Sequence, residues 1–590
     1  MAAPPDHAAV ALAAHAGAAA LRLARPPPVT RLSGDRRAAE GLTSVDDLVS
    51  RSTPQPAEPG TAAPASTGIA RAATLIALGN IASRVLGLAR ETVIAYLFGA
   101  SGYVSAFEVA SRVPRMLFDL LIDGLVSSAL VPVFSELAER DRAELWRVAS
   151  IMLSLTTVVM SAALLVMELF ATPIAWLMSG GFSPGLLERT AHLIRLTSPA
   201  VVFLSLSGIT TGLLYALKRF TLPAFTVTMF NASLVVVALI LTGWLGVGVE
   251  SLAIGMLVGS AAQVALQLPG LRGARLRFSL DWRHPGLRRI LKLYAPVVLG
   301  LIISQIGIVI DRNLASRTGE QSIAWMRYAT TLVQFPLGLV SAAIAMAILP
   351  TLSRLAVADG NDDAGAALEA FMDTLARGLR MVTVLILPAV IGLFVLAEPV
   401  VALVFQHGDF TAFDTSQTAL ALRLYLIGTT FAAVDLPLVF AFYARQNTLT
   451  PALVGVVGVG IYLVAALLPG AWRPLRMTDL VLANSVQLTA HALMMLWLAH
   501  RLGSLRRRGL VGTAGRALVA ALAMGGLAYL ASGWLAAWVG TTTVVARAAG
   551  VGAAAGVGVI VYAGLLALLR VDELEMLRTR LRRLAGRGHA

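Results

Sequence analysis

Cysteine is absent from this 590-residue chain. The absence excludes a disulfide framework, a thiolate metal site and a cysteine nucleophile, and it leaves the redox compartment open. Charge is scarce as well: Asp, Glu, Lys and Arg make up 14% of the residues, against roughly 25% in an ordinary soluble domain. The eight histidines are scattered and never take a metal-ligand spacing such as His-Glu-x-x-His, so no metal site is expected. No phosphate-cradling glycine loop, Walker lysine, nucleophile elbow or pair of catalytic carboxylates stands in a soluble segment. These absences argue against an enzyme and call for no cofactor.

What the chain has instead is apolar length. Hydrophobic residues make up 57% and the mean hydropathy is +0.77, where soluble proteins hold roughly 45–50% apolar residues. A membrane span needs about 20 mainly apolar residues. Fourteen such stretches succeed one another between short polar breaks, the first over 72–98 and the last over 542–569. The expected fold is an all-α polytopic membrane protein with about fourteen transmembrane helices. The net charge of +14 would suggest nucleic acid in a soluble chain. Here the arginines fall in alternate breaks, with Arg473 and Arg476 the main exceptions, so they read as topology signals and lipid-headgroup contacts. That bias places both termini in the cytoplasm and the chain in the cell membrane, with no nucleic-acid partner.

Five segments are expected. Residues 1–68 are rich in proline and alanine and read as a disordered tail. Within them Ala8–Leu21 is apolar, but Asp6 before it and arginines after it give the wrong polarity for a signal peptide. Residues 69–270 and 271–505 read as two six-helix lobes because the sequence repeats. Pro132-Val-Phe-Ser135 answers Pro350-Thr-Leu-Ser353; the stretch Pro173–Phe182 answers Pro399–Phe410; Tyr215–Pro223 answers Tyr443–Pro451. Two parallel copies related by an axis along the membrane normal would enclose a central cavity able to open to either side. Residues 506–570 add two helices outside the duplication. Residues 571–590, with Leu574, Leu577, Leu581 and Leu584 on one face, read as a basic amphipathic helix lying on the inner leaflet.

Polar residues inside the spans carry the functional signal. In the second span Glu108, Arg112, Arg115, Asp119 and Asp123 stand at steps of four, three, four and four, which on a regular helix sets all five on one face. A lone charge in hydrocarbon costs at least ~2.5–3.5 kcal/mol, so such a stripe faces protein or a watery cavity. In the first span Asn80, Arg84, Gly87 and Glu91 share a face, Arg90 stands beside Glu91, and Ser83 precedes Arg84. Two readings stay open: structural ion pairs that lock the helices, or a basic cavity for an anionic headgroup in which carboxylates hold the arginines in place. The guanidinium fork suits phosphate. In the second lobe Gln305, Asp311, Arg312, Arg327, Gln334 and Asp435 interrupt apolar spans. Asp311 and Asp435 are candidate sites for a cation or proton, and His491 reads as a helix contact.

The run Ser83-Arg84-Val-Leu-Gly87-Leu-Ala-Arg90-Glu91, then Phe98-Gly99-Ala100, Pro114, and Gly124 through Ala129-Leu-Val-Pro132-Val-Phe-Ser-Glu136 resembles the opening of the MurJ/MviN family. Those are lipid II flippases of the multidrug/oligosaccharidyl-lipid/polysaccharide exporter superfamily. The resemblance continues through Leu349-Pro350-Thr-Leu-Ser353-Arg354 and Gly408-Asp-Phe410 to Phe442-Tyr443-Ala-Arg-Gln-Asn447 and Thr450-Pro451. It covers about residues 70–505, and the two extra helices are also a family feature. It implies a two-lobed carrier with an arginine-lined, inward-facing cavity that moves undecaprenyl-diphosphate-linked disaccharide-pentapeptide outward by alternating access. Ser83, Arg84 and Arg90 match the family's first-helix positions, with Glu91 as the acidic neighbour and Asp123 where the family has glutamate. Three hallmark charged sites are missing, at Ser105, Phe118 and Thr330-Thr331. Glu108, Arg115 and Arg327 stand about one turn from each, so the charges are expected to be displaced along the same faces. Substrate binding is thus expected from Arg84, Arg90, Arg112, Arg115 and Arg327, supported by Ser83, Glu91, Glu108, Asp119 and Asp123. With no ATP-binding domain seen, an ion gradient (Na+ or H+), the membrane potential or the substrate's own gradient would drive transport. Expected partners are the lipid-linked precursor, membrane lipids and cell-wall synthesis enzymes. The alternatives are a flippase for another polyprenyl-linked glycan, a cation-coupled drug exporter, or a non-transporting cell-wall scaffold.

Overall fold

The computed structural model describes residues 64–358, 364–505, 508–540, 543–571 and 573. The expected tail therefore lies outside the described residues up to position 63, and 64–68 already belong to the first helix. Of the expected amphipathic C-terminus, only Val571 and Glu573 are described.

Every described element is helical. In chain order α1 is Pro64–Phe98, α2 Gly102–Arg140 and α3 Arg142–Leu169. Helix α4 is a bent pair, Pro184–Thr197 with Ala200–Ala216; α5 is Thr226–Leu245 and α6 Glu250–Leu271. Helix α7 is Pro285–Ser316, α8 Ser322–Val357, α9 Gly365–Val395, α10 Ala412–Ala444, α11 Leu449–Ala471 and α12 Met477–Leu502. Helices α13, Leu510–Trp538, and α14, Val544–Leu568, complete the set. Eleven of these are long and apolar enough to cross a membrane, or twelve with the bent pair as one span. The count of fourteen is reached only if α1 and α7, of 35 and 32 residues, also cross.

Local chemistry sets the ends. The Ser101 side chain accepts from the Val104 N–H at the start of α2, and Asp141 does the same for Ala143 and Glu144 in α3, satisfying donors that have no intrahelical partner. Thr411 and Asp414 form a reciprocal capping box on α10. Large apolar side chains such as Leu165, Leu169, Val511 and Ile560 stand exposed on the outside, as lipid-facing residues do. Trp244, Trp472 and Trp538 are exposed at the ends of α5, α11 and α13, where aromatic residues mark the membrane interface.

The sequence repeat has counterparts in the backbone. Helix α2 contains the π-helical turn Asp119–Asp123 and α8 the turn Leu337–Ser341, 218 residues apart, the offset of Pro132 and Pro350. Lys218 (φ 60°) and Gln446 (φ 58°), 228 residues apart, both take the left-handed conformation, at the same place in their repeats. The short connecting helices Ala171–Ser179 and Ala397–Val404 start 226 residues apart. In the second half, Pro437 cannot donate to the Ala433 carbonyl as a helix requires. The Ser341 hydroxyl from the α8 π-turn donates to that carbonyl instead, at 2.5 Å.

The two halves clasp at one end. The turn after α1 lies against the loop before α10: the Asp409 N–H donates to the Tyr96 carbonyl at 3.1 Å, and the Tyr328 hydroxyl to the Gly99 carbonyl at 2.9 Å. Gly99 (φ +60°) and Gly408 (φ +58°) are left-handed there, and a Cβ on Gly99 would sit 2.6 Å from the Asp409 carbonyl oxygen. Tyr328 also packs against Phe405 and Phe410, at centroid distances of 4.9 and 5.4 Å. This is the end whose loops carry almost no basic residues.

Candidate binding cavity

Behind that clasp the charged residues of α1, α2, α7 and α8 meet around Arg327. It lines three adjoining polar spaces. One, of about 350 Å³, is bounded by Asn80, Ser83, Arg84, Arg90 and Glu91 of α1 and by Arg327, Thr331 and Gln334 of α8. A second, of about 370 Å³, is bounded by Asp311, Arg312, Arg327, Thr330, Tyr425, Tyr462, Asn484 and Gln487. Between them a narrow cleft holds Arg90, Glu108, Arg112, Arg115, Arg312 and Arg327.

Glu91 is 1% exposed. It pairs with Arg90 beside it and with Arg327 Nη2 at 2.7 Å. Arg327 Nε stands 3.6 Å from Glu108, so this arginine of the second half is held by acids of α1 and α2. Burial demands such partners, because a desolvated charge without one is strongly destabilising. Arg90 also donates to Asn231 of α5 at 3.0 Å, and Asn231 donates to the Ser83 carbonyl at 3.2 Å. Asn231 is a positioning residue that sequence reading missed; its one signal was an amide inside an apolar span. Gly338 is another. A side chain there would overlap the Arg84 guanidinium, which lies against α8 and donates to the Gln334 carbonyl at 3.3 Å.

Three arginines at these cavities, Arg84, Arg115 and Arg312, have no carboxylate within ion-pair distance among the described residues. Arg90 and Arg327 are thus ion-paired, as the first of the two readings expects, whereas Arg84, Arg115 and Arg312 have no such pair among the described residues.

The five-residue stripe is not continuous. Glu108, Arg112 and Arg115 line the cleft, but the π-turn Asp119–Asp123 is wider than an α-helical turn and rotates the residues beyond it. Asp119 reaches back to Arg112 at 3.7 Å, and Asp123 is exposed away from the cavities. Ser83 lines the first cavity, yet its hydroxyl donates to the Asn80 carbonyl. Asp311 faces the second cavity and accepts from the Tyr462 hydroxyl at 2.5 Å. Asp435 is not among that cavity's lining residues and pairs with His491 at 2.9 Å. The structure therefore does not bring Asp311 and Asp435 together, and no cluster of three metal-ligating side chains occurs among the described residues.

At the positions of the missing family charges, Ser105 is buried and accepts from the Ala324 N–H at 3.2 Å. Phe118 packs over Gly208. Thr330 and Thr331 return their hydroxyls to the Arg327 carbonyl at 2.9 and 3.0 Å. Glu108, Arg115 and Arg327, one turn away, are the residues that reach the cleft.

An apolar groove of about 720 Å³ runs between α8, α9, α13 and α14, past Leu339, Pro388, Gly392, Met524, Ala555 and Gly558. Leu88 and Phe335 line both this groove and the Arg84 cavity. A polar chamber and an apolar groove thus share a wall.

This arrangement of helices is that of a membrane transporter. The solved structure "Lipid II flippase MurJ, inward closed conformation" matches with a TM-score of 0.69 at 22% identity, over 85% of this chain and 99% of that one. An inward-facing multidrug resistance MATE family transporter of the MOP superfamily matches with a TM-score of 0.59 at 15% identity, over 72% and 96%. In sequence, the family model described as "Lipid II flippase MurJ" matches residues 94–548. The lipid II flippase MurJ of Burkholderia cenocepacia is 31% identical over 67% of this chain and 77% of its own length. The probable lipid II flippase MurJ of Vibrio cholerae is 33% identical over 67% and 76%. The chain belongs to the lipid II flippase MurJ family.

Proposed function

We propose that this protein flips lipid II, the undecaprenyl-diphosphate-linked peptidoglycan precursor, from the inner to the outer leaflet of the cytoplasmic membrane. The observation that carries the reading is the wall shared by the Arg84 cavity and the apolar groove at Leu88 and Phe335. An amphiphile with an anionic head and a long tail fits that pair of compartments: the diphosphate on the unmatched arginines, the tail along α13 and α14. Arg84, Arg115 and Arg312 supply unmatched guanidinium groups, which bind phosphate oxygens through paired N–H donors.

The cavities of about 350 and 370 Å³ fall at the small end of the ~300–1,000 Å³ range for drug-sized ligands. The halves must therefore part for a disaccharide-pentapeptide to enter. The Arg327 pairs with Glu91 and Glu108 join them across the cavity, and a diphosphate entering beside Arg84 competes with those carboxylates for Arg327. Binding energy is thereby coupled to movement of the halves, as alternating access requires. The two lobes at 69–270 and 271–505, the added pair at 506–570 and cytoplasmic termini belong to this reading. Arg473, the exception in the loop-charge pattern, supports it: Asp479 neutralises it through two contacts at 2.6 and 2.7 Å. No covalent step is needed. The excess of arginine disfavours cationic drugs as cargo. Complementation of a bacterium depleted of its own lipid II flippase tests the reading: wild type restores growth and Arg84→Ala does not. Failure of the wild type, expressed and membrane-inserted, would favour another cargo or a scaffold.

A further inference from the structure

Away from the arginine cavity, a second charged contact sits inside the membrane-spanning region. Asp435 of α10 and His491 of α12 meet Oδ2 to Nδ1 at 2.9 Å. Ionisable groups at such depth are expensive and are found where they serve transport. A carboxylate only accepts, so a ring nitrogen facing it at this distance donates. A neutral imidazole beside a carboxylate can take up one further proton. The contact is neutral overall with that proton, as imidazolium–carboxylate or imidazole–carboxylic acid, and a bare anion without it. Asp435 Oδ1 is buried with no hydrogen-bond partner, so nothing else compensates the anion.

We propose that Asp435 and His491 form a proton-binding pair that couples flipping to a proton gradient. The proposal rests on the transport reading above and names its driving ion. The proton binds the imidazole–carboxylate pair, arrives from one side of the membrane and leaves to the other; no other bond changes.

Two features give the pair access and leverage. Its side chains keep 19% and 18% exposure. Asn484 and Gln487, seven and four residues before His491 on one face of α12, lead from it to the cavity of Asp311 and Arg312. Two residues before Asp435, the Ala433 carbonyl takes the Ser341 hydroxyl of the α8 π-turn, and α8 carries Arg327. Losing the proton leaves a bare anion at the α10–α12 contact, beside the turn of α10 that Pro437 deprives of one backbone hydrogen bond. The other charged groups of the packed helices lie elsewhere. Arg354 on α8, Arg377 and Arg380 on α9 and Tyr462 on α11 make their hydrogen bonds to other residues. Arg445 is about 15 Å further along α10.

Two measurements test this, one without substrate. In ¹⁵N-histidine NMR of the purified protein, the signal absent from His491→Gln should titrate between about pH 5 and 9, and its midpoint should move by about one unit or more in Asp435→Asn. A His491 signal that does not titrate, or titrates alike in Asp435→Asn, overturns the proposal. In liposomes clamped at zero potential, acidifying the outside by about one unit should speed outward flipping of fluorescent lipid II about threefold or more. The response should vanish in Asp435→Asn, His491→Gln and the double variant alike; an undiminished response overturns the proposal. Wild-type liposomes that flip nothing, alongside the expected NMR shift, would support the proton site and sink the transport reading.

Discussion

Arg327 of α8 lies 2.7 Å from Glu91 of α1, a carboxylate with 1% of its surface exposed. Through this contact the second half of the protein is tied to the first at the centre of its polar cavities. Arg327→Ala should therefore abolish flipping and lower stability together. Glu91 keeps Arg90 as a partner, but Glu108 loses its one ion pair among the described residues, so the loss should approach the ~3–5 kcal/mol of a stranded buried charge. Thermal unfolding of the purified variant beside a flipping assay measures both; a fully active Arg327→Ala contradicts the assignment.

Arg115 reaches the cleft, whereas Phe118, which replaces a family arginine, is committed to packing over Gly208. Arg115→Ala should cut flipping about tenfold or more, the scale of one lost charge-assisted contact of ~1.5–3 kcal/mol. Adding Phe118→Arg to that variant should not restore it, because the new guanidinium would be forced into the α2–α4 contact. Rescue in a growth or flipping assay would show that the charge had not moved.

Much of this was legible in the sequence. Apolar length located the eleven or twelve described helices that are long and apolar enough to cross a membrane, because a span must satisfy its backbone internally in lipid. Arg84, Arg90, Glu91, Glu108, Arg115 and Arg327 were marked by their cost in such surroundings. Asp123 was misread because periodicity assumes a regular helix, and nothing in the residues announced the π-turn that rotates it away. Asn231, Gly338 and the Asp435–His491 pair depend on contacts between helices far apart in the chain, which spacing along one helix cannot reveal.

The clasp between Gly99 and Asp409 and between Tyr96 and Gly408 joins the two halves at one end. Gly408→Ala places an L-residue in a left-handed conformation, at about 1–2 kcal/mol, and pushes its Cβ into the Tyr96 backbone. The chain has no native cysteine, so a single Ser105→Cys reports accessibility directly. Ser105 is 0% exposed; membrane-impermeant maleimide added outside should label it slowly in the parent and several-fold faster with Gly408→Ala. Equal labelling would mean that the clasp does not gate that end.

The apolar groove should accept the lipid tail and nothing else. Ala555→Trp fills it from α14 without touching the arginines. This variant should lose affinity for lipid II while still binding its water-soluble, tail-free headgroup analogue as the wild type does. Native mass spectrometry of both complexes reads the difference, and unchanged lipid II binding would place the tail elsewhere.

The most direct test of the central claim, that unmatched arginines between the halves hold the diphosphate of a lipid substrate, is reconstituted flipping. Purified protein in liposomes loaded with fluorescent lipid II should move it between leaflets, and Arg84→Ala with Arg115→Ala should reduce the rate to that of protein-free vesicles. A double variant that flips at the wild-type rate would contradict the account.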